Sequence, residues 1–235
     1  RASLAIYTSD WAARTAIEYY GVDPRKIEVV PFGANVDRDF TEDEVARFID
    51  QRPPGVCNLV FVGADWTRKG GDVALEVTRR LNNSGVRTRL TVIGAMPQLP
   101  EDLRHLVRAV GFVAKSTDEP SPIVRLVSES HFLILPSRAD FSPHAICEAN
   151  ALGVPSLTTD VGGIPTLVKD EVNGRMFDVQ ASPDEYCRYV RMLLGDYDRY
   201  RQLAESSFRE YQARLNWNAS CRTVKNLLES VVKGF

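Results

Sequence analysis

Short apolar segments alternate with helical patterns through the middle of the chain, and this alternation limits the fold more than any other feature. The strand candidates are Asn58–Val62, Arg89–Ile93, Val107–Phe112, His131–Leu135, Ser156–Thr159 and Gly174–Phe177. Alternation of this kind is typical of a parallel sheet with helices on both faces. The sequence therefore predicts an α/β protein with a Rossmann-like, doubly wound parallel sheet. Extra C-terminal helices are predicted at Pro183–Leu194, Tyr197–Leu215 and Trp217–Val232.

The stretch from residue 135 to 165 reads LPSRADFSPHAICEANALGVPSLTTDVGGIP and carries much of the chemistry. The apolar strand candidate that leads into it ends at a Pro-Ser turn. Ser142 then suits the N-cap of a helix and Pro143 suits its first position, while Gly153 suits its end. Strand, loop and helix together make half of a βαβ unit.

The start of this helix favours an anion, because unpaired backbone N–H groups and the positive end of the helix dipole meet there. The amides come from His144 and Ala145, since the preceding proline has none. Glu148 lies about one turn further, on the face of His144 and Ala151. A diphosphate bound here would leave Glu148 near a ribose and Asp140 near the far end of the ligand. The opposite, apolar stripe is expected to face the sheet and consists of Ala145, Ile146, Ala149 and Leu152.

A second loop carries two adjacent cations. Residues 56–62 are a strand candidate, and residues 70–82 have apolar residues at a helical period. Arg68 and Lys69 thus lie where a strand passes into a helix, which is the edge where open α/β sheets bind ligands. The segment is not a Walker phosphate loop, because Arg68 replaces its second glycine and Gly70 replaces the Ser or Thr after the lysine.

These two blocks resemble the retaining, GT-B-fold glycosyltransferases of family 4, also called glycosyl transferases group 1. The mark of that family is a Glu-x7-Glu stretch followed by a Gly-Gly-x-Pro turn, and here Asp140, Glu148 and the Gly162–Pro165 turn follow in that order. Residues 58–77, NLVFVGADWTRKGGDVALEV, are similar to the first strand, Arg-Lys-Gly-Gly loop and helix of its C-terminal, donor-binding domain.

The resemblance implies roles for individual residues. Lys69 and Arg68 would hold the donor diphosphate and offset the charge on it as it leaves, Glu148 would hold the ribose, and Asp140 would face the sugar as a third catalytic residue. The implied donor-binding residues are Gly63, Arg68, Lys69, Phe112, Val113, Asp140, Ser142, His144, Ala145 and Glu148. The implied reaction transfers a sugar, most often a hexose, from a nucleotide diphosphate sugar to an unknown acceptor, with no metal and no other cofactor.

The chain departs from the family pattern in three places. Asp140 stands where the family usually has the first Glu, and its side chain is one methylene shorter. Ser142-Pro143 replaces a Phe-Gly, which removes one amide from the start of the helix. Ala64 or Asp65 stands where some members carry an Arg. We expect these changes to alter contacts with the donor without removing its site.

The resemblance also implies a division of the chain. Residues 1–36 would be a remnant of the N-terminal acceptor domain and linker, residues 37–215 the donor-binding domain, and residues 216–235 a C-terminal helix. Most of the acceptor domain would then be missing, so we expect donor binding and negligible transfer by these residues alone. The apolar side chains of the last helix are expected either to cover the N-terminal remnant or to associate with another chain, and they are Trp217, Leu227, Leu228 and Val231.

Composition excludes several other classes of protein. The formal net charge of −2 leaves no basic footprint for nucleic acid. The four cysteines are scattered, which favours reduced thiols over disulfides or zinc. Reduced thiols favour a cytoplasmic protein, with the cytosolic face of a membrane as a second setting. No apolar run approaches the length of a membrane span, so we expect a soluble chain. The Asp-x-Asp triplets at residues 37–39 and 196–198 are not expected to bind metal, and His105 and His131 are expected to be structural.

Two other functions stay open. One is another GT-B enzyme, namely a nucleotide-sugar epimerase or a phosphorylase. The other is a non-catalytic nucleotide-binding or interaction domain, for which Asp140 and Pro143 are the supporting departures.

Overall fold

A computed structural model of the protein describes residues 2–114 and 121–233. Two short parallel strands, β1 (Ala5–Tyr7) and β2 (Ile27–Val29), pair with each other near the start of the chain. The other strands of these ranges form one parallel sheet. They are β3 (Val56–Gly63), β4 (Arg87–Gly94), β5 (Val107–Gly111), β6 (Phe132–Leu135), β7 (Ser156–Thr159) and β8 (Gly174–Phe177).

The strand order of the main sheet is β5-β4-β3-β6-β7-β8. The chain builds outward from β3 on one side, then crosses over and builds outward from β6 on the other. The strands β6 and β7 are buried along their whole length, as parallel strands with both faces covered should be. The predicted Rossmann-like, doubly wound parallel sheet is confirmed.

The predicted strands and C-terminal helices lie within two residues of their observed bounds. The α-helices in the described part of the chain are α1 (Asp10–Tyr20), α2 (Glu42–Gln51), α3 (Gly71–Asn83), α4 (Pro122–Ser128), α5 (His144–Asn150), α6 (Ile164–Leu167), α7 (Pro183–Gly195), α8 (Tyr197–Arg214) and α9 (Trp217–Lys233). Residues 24–26 and 101–106 form short 3₁₀ helices.

No helix is predicted from the sequence at α2, although the sequence carries its signal. The Thr41 hydroxyl accepts from the Glu44 backbone N–H, and the Glu44 carboxylate accepts from the Thr41 backbone N–H. This reciprocal cap holds the first turn. Val45 and Ile49, one turn apart, are the residues that the helix buries. Such a short apolar stripe among polar residues is easily read as a loop.

Arg52, just after α2, is only 1% exposed and ties three helices together. Its Nε donates to the carbonyl of Ser128 at 3.0 Å, and its Nη2 donates to the carbonyl of Leu152 at 2.8 Å. Its Nη1 donates to the carbonyl of Gly153 at 2.6 Å and to the hydroxyl of Tyr200 at 2.9 Å. One guanidinium thus satisfies buried acceptors at the ends of α4 and α5 and on α8.

Arg52→Ala should lower the free energy of unfolding by about 3 kcal/mol or more, because it leaves several buried acceptors without a donor. Urea unfolding followed by circular dichroism measures the change. Arg47→Ala is the matched control, since Arg47 is an exposed arginine on α2. It should change stability by no more than about 0.5 kcal/mol. Equal losses in the two variants would contradict the role of Arg52.

His131 is fully buried just before β6 and has a structural role. Its Nδ1 accepts from the Asn58 backbone N–H at 3.1 Å, and the rings of Tyr197 and Tyr200 pack against it. Burial, and second the positive charge of Arg52, lower the pKa of His131 from its ordinary 6.5 to about 4. His105, in contrast, is exposed on the second 3₁₀ helix.

The low pKa of His131 predicts an acid-sensitive fold. Between its ordinary pKa of 6.5 and its folded pKa of about 4, the unfolded chain binds a proton that the folded chain does not. Stability is therefore lost as the pH falls through this range, by roughly 3 kcal/mol in full. Wild type should lose more stability between pH 7 and pH 4.5 than His131→Asn, by urea unfolding at each pH. Equal losses would contradict this prediction.

The last helix, α9, runs beside the β1–β2 pair. The Ser220 hydroxyl donates to the Pro31 carbonyl at 2.7 Å, and an apolar cleft of about 690 Å³ lies between the helix and the two strands. Leu228 and Val232 line this cleft and are exposed. Self-association through α9 and the division at residues 36 and 215 stay predictions. None of the helices in the described ranges is both long and apolar enough to cross a membrane.

Candidate active site

The loop with Arg68 and Lys69 and the loop with Asp140 are both predicted as site groups, and they meet at the carboxyl ends of β3 and β6. Lys69 Nζ lies 2.9 Å from Asp140 Oδ2, although the two residues are 71 positions apart. Their side chains are only 14% and 9% exposed. The strand order reverses between β3 and β6, which is where doubly wound sheets form a ligand crevice. The fold therefore brings a shielded cation and a shielded carboxylate together at this crevice.

Two glycines make this meeting sterically feasible. A Cβ on Gly63, at the end of β3, would lie 2.3 Å from the Lys69 Cδ atom, so the lysine stem crosses the strand end where a side chain would otherwise stand. Gly70 has a left-handed φ of 75°, and a Cβ there would lie 1.9 Å from the Pro136 carbonyl oxygen. Gly63, predicted as a donor-binding residue, thus has an observed role in placing Lys69.

Arg68 is more exposed than Lys69 and is held mainly by Asp65. The Arg68 backbone N–H and Nε donate to the two Asp65 oxygens at 3.0 and 3.1 Å, and Nη1 donates to the Ala139 carbonyl at 2.9 Å. The backbone N–H of Arg68, followed by its side chain, lowers the pKa of Asp65. The Nη1 atom of Arg68 lies 3.8 Å from Asp140 Oδ2, so Arg68 faces the same carboxylate as Lys69 from further away.

Arg138 is a site residue that is not predicted from the sequence. Its guanidinium donates to both oxygens of Asp72 at 2.8 and 2.7 Å and to the Thr67 carbonyl at 2.6 Å. Its backbone N–H donates to the Arg68 carbonyl at 2.8 Å. The hydrogen bond from Arg138 is the main cause that lowers the pKa of Asp72. Arg138 thus joins the loop after β3 to the loop after β6, and its place just after a strand end is the signal that could have revealed it.

The Gly-Gly-x-Pro turn supports the loop that carries Asp140. The Gly163 backbone N–H donates to the Asp140 carbonyl at 3.1 Å. A Cβ on Gly162 would lie 2.1 Å from that oxygen, and one on Gly163 would lie 1.7 Å from the Phe141 carbonyl oxygen. The Thr159 hydroxyl also donates to the Ser137 carbonyl. Only glycines allow this turn to approach so closely.

Helix α5 begins later than the sequence predicts. Pro143 occupies the N-cap with an extended backbone, the first helical residue is His144, and the Ser142 side chain makes no capping hydrogen bond. The prediction of Ser142 as N-cap and Pro143 as first helical residue is wrong by one position. A residue before proline is disfavoured in the helical conformation, and here the proline itself is extended at ψ 106°. Ser142 therefore precedes the helix without capping it, and its part in donor binding stays a prediction.

Glu148 lies on the half-buried face of α5. It lines a small cavity of about 50 Å³ with Val62, Ala145 and other residues. The predicted apolar stripe of this helix is buried, as expected. Ala151 is also fully buried. Its backbone N–H donates to the Cys147 carbonyl at 3.0 Å, so the helical spacing reaches Ala151, and the face that it shares with Glu148 is closed at this end.

The His144 side chain faces the segment that leads out of β2. Its Nδ1 lies 3.2 Å from the Gly33 carbonyl oxygen, and its ring stacks on Phe32 with 5.2 Å between centroids. The backbone N–H groups of His144 and Ala145 open the helix and have no carbonyl of a preceding turn to bond. The predicted contribution of His144 to anion binding is therefore that of its backbone N–H, since its ring faces Gly33.

The remaining predicted residues lie apart from the Lys69–Asp140 pair. Phe112 and Val113 follow β5, which is separated from β3 by β4, and Phe112 is 87% exposed. Their contact with a nucleotide base stays a prediction. Among the described residues, no group of three or more His, Cys, Asp or Glu side chains is arranged to hold a metal ion.

Comparison with known proteins places the chain in a family. Residues 57–196 match the sequence profile described as "Glycosyl transferases group 1". The chain belongs to this family. Membership confirms the recognition that the motifs around Lys69 and Glu148 provide, since both lie within the matched residues.

Individual relatives agree with the family. A D-inositol 3-phosphate glycosyltransferase from Nocardia farcinica is 30% identical over 231 residues, which are 93% of this chain and 50% of that protein. Sucrose-phosphate synthase from Thermosynechococcus elongatus superimposes with a TM-score of 0.75 at 20% identity, over 100% of this chain and 60% of that one. HepE from Anabaena, solved with UDP-glucose, superimposes with a TM-score of 0.72 at 16% identity, over 97% of this chain and 64% of that one.

The two solved structures show a shared fold, in agreement with the GT-B architecture of the family. The chain spans about half the length of the curated relatives it matches.

Gly162→Ala should destabilise the protein more than Gly21→Ala. Both glycines have a left-handed φ, 55° and 62°, so both substitutions carry the backbone strain of about 1–2 kcal/mol. Only position 162 adds a collision, with the Asp140 carbonyl, because nothing lies within 4 Å of a Cβ at position 21. Urea unfolding compares the two, and the Asp140 amide signal in NMR should shift only in Gly162→Ala. Matching results would show that the close approach is unimportant.

Proposed function

We propose that the chain is the donor-binding portion of a retaining glycosyltransferase, which moves a hexose from a nucleotide diphosphate sugar to an acceptor. The observation that carries this proposal is the pair of Lys69 and Asp140 at the crevice between β3 and β6. Ligands of open α/β sheets bind at such a crevice. Membership of the glycosyl transferases group 1 family supports glycosyl transfer as the chemistry.

In this proposal Arg68 and Lys69 bind the donor diphosphate. The fold positions both side chains, because Gly63 leaves room for the lysine stem and Asp65 orients the guanidinium. Preorganised cations stabilise the negative charge that builds up on the diphosphate as the sugar leaves. These two cations supply the counter-charge, so we propose transfer without a required metal or other cofactor.

Asp140 would face the donor sugar. Its carboxylate accepts from Lys69 at 2.9 Å in the structure. A bound diphosphate carries more negative charge than one carboxylate, so it draws the lysine ammonium toward itself and leaves Asp140 to accept hydrogen bonds from sugar hydroxyls. The shorter reach of Asp140, relative to the usual Glu of the family, then requires a closer approach of the sugar or a bridging water.

Glu148 would accept hydrogen bonds from two ribose hydroxyls. The cavity beside it is bordered by β3 and α5, one helical turn from the amides of His144 and Ala145 that would meet the diphosphate. Ser142 would border the same phosphates. Phe112 and Val113 would lie against the base.

The comparisons suggest the first donor to test. HepE was solved with UDP-glucose, and the curated relatives are named D-inositol 3-phosphate glycosyltransferases. We therefore take a UDP-hexose as the first donor. The four cysteines are free thiols in the structure, which supports a cytoplasmic setting.

A non-catalytic nucleotide-binding or interaction domain is the second candidate. The observation that favours it is Pro143, which occupies the N-cap of α5 and offers no amide to a phosphate. Binding without any transfer by the intact protein would support this candidate.

Calorimetry with UDP-glucose, and with GDP and ADP sugars, tests the proposal on this chain. Glu148→Ala should weaken binding of the preferred nucleotide sugar roughly 10- to 100-fold, since hydrogen bonds to a charged group contribute about 1.5–3 kcal/mol. Lys69→Ala should weaken it at least as much.

Glu101→Ala is the matched control, because Glu101 is an exposed acid on the second 3₁₀ helix, and it should leave the affinity unchanged. Unchanged affinity in Glu148→Ala would show the ribose assignment to be wrong. No binding of any nucleotide sugar would overturn the proposed function.

A further inference from the structure

A second cleft, of about 350 Å³, opens beside Asp140 and shares no lining residue with the cavity at Glu148. Its lining includes Trp11, Arg68, Arg138, Asp140, Phe141 and Gly162. Asp140 therefore borders this cleft and also contacts Lys69. A ligand in the cleft would lie next to the sugar of a donor bound at Lys69 and Glu148.

Two aromatic side chains give the cleft apolar walls. Trp11 on α1 is 45% exposed and Phe141 in the loop before α5 is 49% exposed, and aromatic side chains of this kind commonly line ligand pockets. Their ring centroids are 6.4 Å apart and the rings are nearly perpendicular, at 76°. Two rings in this arrangement present flat apolar faces at an angle, against which a ring-shaped ligand can pack.

The two walls are fixed relative to each other. The Asp10 backbone N–H donates to the Thr166 hydroxyl at 2.9 Å, and that hydroxyl donates to the Asp10 carboxylate at 2.7 Å. These bonds join the start of α1 to α6, which directly follows the Gly162–Gly163 turn. The Gly163 backbone N–H in this turn donates to the Asp140 carbonyl. Trp11 and Phe141 are therefore parts of one braced unit.

The polar groups of the cleft are balanced in charge. Arg68 and Arg138 are each 45% exposed, but each is paired with its own carboxylate, from Asp65 and Asp72. Asp140 is paired with Lys69, and its carboxylate adds negative charge to the cleft once a bound diphosphate draws the lysine away. Guanidinium groups have more N–H donors than these pairings use, so the cleft offers donors without a net positive charge. This combination favours a neutral ligand rich in hydroxyl groups over an anion.

We infer that this cleft is an acceptor subsite, which binds a neutral, polyhydroxylated six-membered ring, either a pyranose or a cyclitol. The ring packs its apolar face against Trp11 and Phe141 and accepts hydrogen bonds from Arg138. This inference rests on the proposed function, since it is the donor at Lys69 and Glu148 that makes the neighbouring ligand an acceptor. It adds two residues, Trp11 and Phe141, to the site residues that the sequence predicts.

Saturation-transfer NMR on this chain, with excess UDP present to fill the nucleotide site, tests the inference. The probes are methyl α-D-glucopyranoside and myo-inositol, and sorbitol is the acyclic control. At least one ring probe should receive saturation from the wild type, and sorbitol should receive much less. Trp11→Ala and Phe141→Ala should each reduce the transfer at least about threefold, whereas Trp11→Phe, which keeps an aromatic face, should retain most of it.

Tyr19→Ala is the matched control, because Tyr19 is a 79% exposed aromatic on the same helix, and it should leave the transfer unchanged. All substituted side chains are exposed, so each variant should fold, and circular dichroism is the measurement that checks this. Transfer that is absent from the wild type with UDP bound, or equal in all variants, overturns the acceptor subsite while leaving the proposed function in place. Failure to bind UDP in calorimetry overturns the proposed function and this inference with it.

Discussion

The reversal of strand order at β3 is the constraint on which the rest of the structure depends. Its neighbours β4 and β6 lead the chain away in opposite directions, so the loops that follow β3 and β6 part from each other and leave a crevice at the carboxyl ends. Lys69 enters this crevice from the first loop and Asp140 from the second. A cation and a carboxylate that are distant in sequence thereby become one ion pair of low exposure.

Ion pairs hold the loops around the crevice, and glycines, which have no side chain, allow these loops to approach one another closely. Arg138 joins the two loops, and Gly162 allows a third segment to press against the backbone of Asp140. Each cation of the site has a carboxylate partner within the fold, and these pairs hold the loops in place. In the proposed function this placement is the preorganisation that electrostatic stabilisation of a leaving group needs. The cations are Arg68, Lys69 and Arg138, and their partners are Asp65, Asp140 and Asp72.

The parts of the fold that the sequence predicts well are those with a strong period or a strong stop signal. The strands β7 and β8 are predicted to the residue, because apolar runs and turn residues mark their ends. Helix α2 escapes prediction since its apolar stripe is short. The start of α5 is misplaced because proline favours the first helical position, whereas Pro143 has an extended backbone here. Arg52 gives no sequence signal at all, since its acceptors are distant carbonyls.

The amino-acid sequence by itself determined the fold class, the family and the presence of Arg68, Lys69 and Asp140 at the crevice, because hydrophobic period and motif order are local properties of the chain. Only the tertiary structure decided which of those residues meet. It paired Lys69 with Asp140, turned the His144 ring toward the Gly33 carbonyl, and placed Trp11 beside Phe141. The physical reason is that these contacts join segments far apart in sequence, and their distances depend on strand order and on the close backbone approaches that glycines permit.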